Sequence, residues 1–248
     1  MKIYGLIGYP LTHSFSKNFF HEKFLRQKIM DCTYENFPLL SIDQFPLLLD
    51  SRPQLAGLNI TIPYKELIIP YLHELDEKAK EIGAVNTVTV VAGKLKGFNT
   101  DVFGFMQSIL PLIQPHQTQA LILGTGGSSK AVAYGLKTMG LSYQLVSRNP
   151  EQPEELYYSN IDKDMLRQYK IIINTTPVGM FPNIDDCPPI LYEYLTPSHL
   201  LFDLIYNPPL TAFLQKGKEK GASIKNGLQM LQLQAEKSWE IWNSNPSD

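Results

Sequence analysis

The stretch that most constrains the chain is Gln119-Ala-Leu-Ile-Leu-Gly-Thr-Gly-Gly-Ser-Ser-Lys-Ala131. An apolar run over residues 121–123 stops at glycines, and a segment of alanine and other small residues continues to Met139. That order predicts a buried strand, a tight turn and a helix. The turn leaves backbone N–H groups at a helix N-terminus, where an anion binds without needing a side-chain cation. Gly124 allows the tight turn, and Gly126 lets a pyrophosphate approach the backbone. The third glycine of G-x-G-x-x-G is replaced by Ser129, and an extra glycine stands at Gly127. A purely structural strand-to-helix turn can use the same residues, so the turn alone leaves both readings open.

The surrounding residues favour the nucleotide reading. The helical segment ends at Gly140, and a second apolar run follows, Tyr143-Gln-Leu-Val-Ser147. Strand, glycine turn, helix and strand make one βαβ unit. An acidic residue ending the second strand would hold the 2′-hydroxyl of NAD. Here the chain reads Ser147-Arg148-Asn149 instead. An arginine at that place suits a 2′-phosphate, with its planar fork of donors, so the sequence favours NADP(H) over NAD. The alternative is that Arg148 is a solvated loop cation, and the acidic stretch Pro150-Glu-Gln-Pro-Glu-Glu155 supplies no second basic residue.

A chain of 248 residues accommodates one large domain or two modest ones. Hydrophobic content of 44% against 19% charged residues fits a globular protein and excludes a disordered one. With a net charge of −2 and no basic run, no nucleic-acid surface is expected. The only cysteines, Cys32 and Cys187, make neither a disulfide framework nor a four-thiolate zinc site. His13, His21, His73, His116 and His199 are scattered, so no metal site is expected. Residues Met1-Lys-Ile-Tyr-Gly enter a strand-like run directly and do not read as a signal peptide. No apolar run reaches the ~18 residues that a membrane span needs. The expected setting is a reducing cytoplasm.

Residues 2–7 predict a first strand, closed by Gly8-Tyr-Pro10. In the following helix Phe19, Phe20, Phe24 and Leu25 recur at helical spacing. Ser14 and Ser16 precede or cap that helix, and paired hydroxyls there could instead hold a carboxylate. Strands are expected over 32–37 and 55–62, with a short helix over 42–49 between them. Lys65 follows the second of these in a loop, near Asn59 and Thr61, and strand ends of α/β sheets are where ligands bind. Most lysines are merely solvated. A helix over 76–82, a hairpin around Gly93 and a helix over 102–110 come next. Asp101 suits the N-cap or first turn of that last helix. Residues 111–118 read as a polar linker into the nucleotide-binding unit. Beyond the βαβ unit, strands are expected at 171–174, 200–205 and 223–225, a helix at 210–220, and a final helix to Trp242. Alternating strands and helices in both halves predict an α/β fold with mainly parallel sheets, as two domains with a cleft between.

The polar strand-end clusters, in this order, resemble the shikimate dehydrogenase family. The matching stretches are Pro10-Leu-Thr-His-Ser-Phe-Ser16, Asn59-Ile-Thr-Ile-Pro-Tyr-Lys65, Gly83-Ala-Val-Asn-Thr87, Asn99-Thr-Asp101, Gly124-Thr-Gly-Gly127, Asn174-Thr-Thr-Pro-Val-Gly-Met180, Asp203-Leu-Ile-Tyr-Asn-Pro208 and Asn226-Gly-Leu-Gln-Met-Leu-Gln-Leu-Gln-Ala235. The resemblance runs from Tyr4 to Gln234. It implies an NADP(H)-dependent enzyme that reduces 3-dehydroshikimate to shikimate in aromatic amino-acid biosynthesis. It implies Lys65 and Asp101 as the catalytic pair, and Ser14 and Ser16 as ligands of the substrate carboxylate. Asn59, Thr61, Asn86, Asp101 and Gln234 would hold the ring hydroxyls, with Tyr206 nearby. Gly124, Gly126, Gly127 and Arg148 would hold the cofactor, and Met180, Ile205 and Gly227 would border its nicotinamide. The implied architecture is an α/β substrate domain, residues 1–101 plus 227–248, and a Rossmann-like NADP-binding domain, residues 102–226, that close on each other when cofactor binds. The expected partner is the small-molecule substrate, with no nucleic acid and no membrane, in a monomer or homodimer. Two departures stand out. Lys17 occupies a place where the family usually has proline, and Asn149 one where threonine often follows the arginine. A paralogue that oxidises quinate or shikimate with NAD is the alternative within this family, and a catalytically silent nucleotide binder is the alternative outside it.

Overall fold

The computed structural model describes residues 1–11 and 15–244. The chain divides into two compact units, one of residues 1–100 with the chain from Gln234 onward, the other Asp101–Leu233.

The first unit begins with β1 (Lys2–Gly8), α1 (Phe15–Gln27), β2 (Cys32–Pro38) and α2 (Phe45–Ser51). It continues through β3 (Leu55–Ile60), α3 (Tyr64–Leu67), β4 (Glu74–Leu75), α4 (Glu77–Ile82), β5 (Thr87–Val91) and β6 (Lys94–Phe98). The strands lie in the order β2-β1-β3-β5-β6-β4. β1 runs parallel to β2 and β3, and β4 parallel to β6, whereas β5 is antiparallel to both its neighbours. The antiparallel pairs arise from the hairpin of β5 and β6, whose two-residue turn at Ala92 and Gly93 takes φ of 50° and 77°. One face of the sheet buries Ile7, Leu58, Ile60, Val88 and Leu95 with Phe45 and Ile68. The other buries Tyr4, Leu6 and Tyr34 against Phe20 and Phe24 of α1. Full burial of such an aromatic or aliphatic side chain stabilises by about 1.5–3 kcal/mol. α1 turns Ser16, Phe20, Lys23 and Phe24 inward, spaced for one helix face. Leu25, expected on that face, is 65% exposed, and Lys23 takes the buried position because its ammonium is paired with Glu236.

The second unit comprises α5 (Asp101–Ile109), β7 (Gln119–Leu123), α6 (Gly127–Thr138), β8 (Ser142–Ser147), β9 (Leu156–Tyr157) and α7 (Lys163–Gln168). It continues with β10 (Ile171–Asn174), β11 (Leu200–Asp203), α8 (Ala212–Glu219), β12 (Ser223–Lys225) and the first part of α9 (Leu228–Asn243). From Gln234 on, α9 belongs to the first unit. All pairings are parallel, in the order β12-β11-β10-β7-β8-β9. Strands covered on both faces read as unbroken apolar runs, and residues 121–123, 171–173 and 200–202 are all fully buried. The order reverses direction between β7 and β10, a switch point where the strand ends open a crevice for ligands.

Several expectations are corrected. Lys65 stands in the short helix α3, not in a loop, and β3 and β11 stop at Ile60 and Asp203. Residues 111–118 are no linker. Gln117 is buried, donates to the Ser198 carbonyl and accepts from the Gln114 amide, which docks the segment inside the second unit. β9 and α7 went unread because they are short and polar; α7 buries only Leu166 and is fixed by its Asp162 cap, which accepts from Met165 N–H at 2.8 Å.

Gln234, Ser238 and Trp242 follow one another at four-residue intervals, so one stripe of α9 meets the first unit's sheet. The Trp242 indole donates to the Val88 carbonyl at 3.0 Å, directly over Gly57. A Cβ at Gly57 would lie 2.3 Å from Trp242 Nε1. Gly57→Ala is therefore expected to lower stability by about 1–3 kcal/mol, the usual cost of overpacking. Urea unfolding followed by tryptophan fluorescence reads this as a lower midpoint, and an unchanged midpoint would refute the close-approach argument.

Candidate functional site

In the first unit, register sets the site. Asn59 on β3 and Thr87 on β5 are cross-strand partners, and Thr87 faces Phe98 on β6, just ahead of Asn99 and Thr100. Asn59 is buried, and its Oδ1 accepts from the Tyr34 hydroxyl at 2.8 Å. Its Nδ2 donates toward Ser238 Oγ at 2.9 Å, the Asn86 carbonyl at 3.2 Å and Thr87 Oγ1 at 3.3 Å. Asn86 Oδ1 accepts from the Thr100 amide at 2.7 Å, while its Nδ2 donates to Thr100 Oγ1 at 2.9 Å and Gln234 Oε1 at 3.3 Å. Three hydroxyls, Thr87, Thr100 and Ser238, lie within 3.3 Å of one another. Ser16, also buried, hydrogen-bonds the Tyr34 hydroxyl, and burial pushes that phenol well above its usual range, so it stays a neutral donor. The structure thus gathers Ser16, Asn59, Asn86 and Gln234 into one cluster, held by the packing of β3, β5, α1 and α9.

The other expected residues are placed by the elements that carry them. Ser14 lies outside the described residues. Thr61 is half-buried just past β3, its amide donating to the Ile7 carbonyl. Lys65 is half-buried on α3, and its carbonyl accepts from Val85, the neighbour of Asn86. Asp101 is buried and opens α5 of the second unit, so its carboxylate stands at the positive end of that helix.

Sequence reasoning passed over Tyr34, Thr87, Thr100 and Ser238. Thr87 and Thr100 stood inside the quoted motifs. Ser238 was readable from its four-residue spacing to Gln234, and Tyr34 carried no signal beyond an inward strand position.

In the second unit the glycine turn forms as expected. Gly124 has φ of 110°, which an L-residue resists, and a Cβ there would lie 2.6 Å from Thr175 Oγ1. Gly126 is the N-cap of α6, and no side chain caps that helix. A Cβ at Gly126 would meet no atom within 4 Å, so its backbone lies open to an approaching group. Gly127 is the first residue of α6. Ser129 replaces the third glycine because its hydroxyl turns inward, donating to the Gly126 carbonyl at 2.6 Å. These residues fit a dinucleotide, with open backbone at Gly126 and a glycine N-cap at the positive end of a 12-residue helix. Arg148 is exposed at the end of β8, beside Tyr158, whose phenol burial pushes up and the guanidinium draws down. Ile205 is buried, Tyr206 half-buried with its phenol pushed up by burial, and Met180 46% exposed. Gly227 donates its N–H to the Ile205 carbonyl at 3.0 Å, and a Cβ there would lie 2.0 Å from the Leu204 carbonyl oxygen. Among the described residues, no group of three or more His, Cys, Asp or Glu side chains is arranged to hold a metal ion. No described helix is long and apolar enough to cross a membrane.

The sequence model of the shikimate dehydrogenase substrate binding domain matches residues 6–88. Shikimate dehydrogenase (NADP(+)) of Methanococcus aeolicus is 37% identical, across 100% of this chain and 94% of its own. The crystal structure of shikimate dehydrogenase from Aquifex aeolicus superposes with a TM-score of 0.87 at 35% identity, covering 98% of this chain and 92% of that one. The shikimate 5-dehydrogenase of Thermus thermophilus, solved in complex with NADP(H) and shikimate, superposes with a TM-score of 0.86 at 30% identity, covering 100% and 96%.

Asp203, at the end of β11, is fully buried, and burial raises its carboxyl to about 6 despite three donors that favour the charged form. Between an unfolded value near 3.8 and this folded one, the folded state binds the extra proton. The stability this group contributes is therefore fully present below 3.8 and is lost as pH rises through about 6. Asp203→Asn removes the titration. From pH 4 to pH 7 the variant is expected to gain about 2–3 kcal/mol on the wild type in urea unfolding. A difference independent of pH would show that Asp203 ionises normally.

Proposed function

The chain belongs to the shikimate dehydrogenase family, and from that premise we infer that it catalyses the reversible NADPH-dependent reduction of 3-dehydroshikimate to shikimate in aromatic amino-acid biosynthesis. It is an NADP-dependent oxidoreductase. The observation that carries the reading to the substrate is the buried cluster of amides and hydroxyls around Asn86. Such groups donate and accept in fixed directions, as a polyol ring requires, and reject analogues that leave them unpaired.

Ser14 and Ser16 donate to the substrate carboxylate, giving orientation without a permanent charge. Asn86, Gln234, Thr61 and Asp101 hold the ring hydroxyls. Asn59 joins them through the Oδ1 lone pair that Tyr34 leaves unused. Tyr206 borders the substrate. Gly124, Gly126 and Gly127 hold the pyrophosphate, Arg148 the 2′-phosphate, and Met180, Ile205 and Gly227 the nicotinamide edge. NADPH, when bound, supplies the hydride for the ring carbonyl carbon. Lys65 stabilises the carbonyl oxygen as it gains negative charge and gives it a proton from Nζ. Asp101 orients that ammonium. In oxidation the same lysine takes the hydroxyl proton back. Substrate residues other than Tyr206 fall in a domain of residues 1–101 plus 227–248, and cofactor residues other than Gly227 in one of 102–226. Free thiols at Cys32 and Cys187 suit a reducing cytoplasm, where we place the enzyme as a monomer or homodimer.

Lys65→Ala is expected to lower kcat for shikimate oxidation by about a hundredfold or more while KM for shikimate moves little. A variant that keeps its rate would remove Lys65 from the chemistry. Initial rates of shikimate oxidation with each nicotinamide, followed at its absorbance, test the cofactor assignment. A strong preference for NADP supports Arg148 in its role, and equal or better use of NAD points to the quinate-or-shikimate paralogue.

A further inference from the structure

Asp203 takes no part in the chemistry above, yet it is a buried acid with three hydrogen-bond donors around it. Its Oδ1 accepts from Ile205 N–H at 3.0 Å and from Asn174 Nδ2 at 3.1 Å, and its Oδ2 accepts from the Thr211 hydroxyl at 2.6 Å. Asn174 and Thr211 are themselves fully buried. These three donors belong to different segments. Thr211 is the N-cap of α8, Ile205 opens the loop after β11, and Asn174 ends β10.

Asn174 carries the restraint further. Its Oδ1 accepts from both the amide and the hydroxyl of Thr176, at 3.0 and 2.6 Å, and its Nδ2 also reaches the Val178 carbonyl at 3.3 Å. Thr176 Oγ1 in turn accepts from Val178 N–H, and Met180 N–H donates to the Pro177 carbonyl. The turn from 174 to 180 is thus folded around one amide whose orientation Asp203 sets, because an acceptor, and no donor, can face Nδ2 there. On the other side, Ile205 is held at both its backbone groups, by Asp203 at N–H and by Gly227 N–H at the carbonyl. Phe181 N–H reaches the Asn207 carbonyl at 3.5 Å, so the two loops also touch directly.

We propose that Asp203 is a positioning residue for the nicotinamide end of the cofactor, fixing the loops that carry Met180 and Ile205 through Asn174 and the Ile205 amide. This rests on the assignment of Met180, Ile205 and Gly227 to the nicotinamide edge. Gly124 abuts Thr175 and Thr176, but the start of α6 is closed by the Ser129 hydroxyl and Arg148 follows β8, so the two ends of the cofactor separate experimentally.

The test is calorimetric titration of the full chain with NADP+ and with 2′-phospho-ADP-ribose, which is NADP without its nicotinamide. The wild type is expected to bind both. Asp203→Ala is expected to weaken NADP+ about tenfold and to leave the fragment within about twofold. Asp203→Asn, which keeps Oδ1 as an acceptor for Ile205 and Asn174, is expected to recover most of the NADP+ affinity. In turnover the alanine variant is expected to lose kcat with KM for shikimate unchanged. Should Asp203→Ala fail to fold, Thr211→Val removes one donor at nearly constant shape and is expected to weaken NADP+ about threefold, again sparing the fragment. Equal weakening of both ligands, or of neither, overturns the proposal and leaves Asp203 a structural acid. A wild type that binds the fragment but gains nothing from the nicotinamide overturns the assignment of that edge, and one that binds neither ligand overturns the NADP reading itself.

Discussion

The hydrogen bond from the Tyr34 hydroxyl to Asn59 Oδ1 decides how the first unit's polar centre is assembled. A buried amide can be turned either way, and an unpaired buried polar group costs about 1–3 kcal/mol. Tyr34 offers a donor, so the oxygen faces it and Nδ2 is directed at Asn86, Thr87 and Ser238. Each of those lies on a different segment: the β5 entry, β5 itself and α9. One phenol therefore fixes the meeting of a strand pair and the last helix. The aromatic packing of Phe20 on Tyr34, with centroids 4.5 Å apart, holds the phenol in turn. The site's donors are ordered before any substrate arrives, because the same bonds that satisfy the buried core place them.

The second unit meets a different constraint. Its six strands are parallel, so every loop at one end of the sheet follows a strand's carboxyl end. Those loops cannot be fixed by sheet bonding. The glycine turn is held by Gly124 and by the inward hydroxyl of Ser129, whereas the loops after β10 and β11 are held by Asn174 and Asp203. A carboxylate suits that task because two oxygens accept several donors at once. It also carries a desolvation cost, visible in a carboxyl raised to about 6.

Most of the strand and helix order was legible because period and length agreed with local composition. Apolar runs at 121–123, 171–173 and 200–202 read as strands covered on both faces, and they are buried on both. What stayed unread depends on partners distant in sequence. Leu25 looked like a core residue at helical spacing, but Lys23 holds the inward place because Glu236, 213 residues away, neutralises it. Residues 111–118 looked like a linker because they are polar, although the buried Gln117 has a partner at Ser198. The residues expected to hold substrate were named from motifs. Ser238 was readable only from its spacing to Gln234, and Tyr34 was not readable, since its role exists only once β2, β3 and α1 are packed together.

The chemistry of the two polar centres follows from where charge can be tolerated. The first unit's cluster is built from amides and hydroxyls, which can be satisfied inside the core without an ion's desolvation cost. Its buried charge, Lys23, is turned away to pair with Glu236. A neutral cluster also discriminates well, because a ligand lacking one hydroxyl strands a donor or acceptor that has no water to turn to. The second unit can bury a carboxylate because its three donors all come from within that unit and satisfy both oxygens. The two polar centres thus follow the same rule, that a buried polar group is stabilised by a partner within the fold.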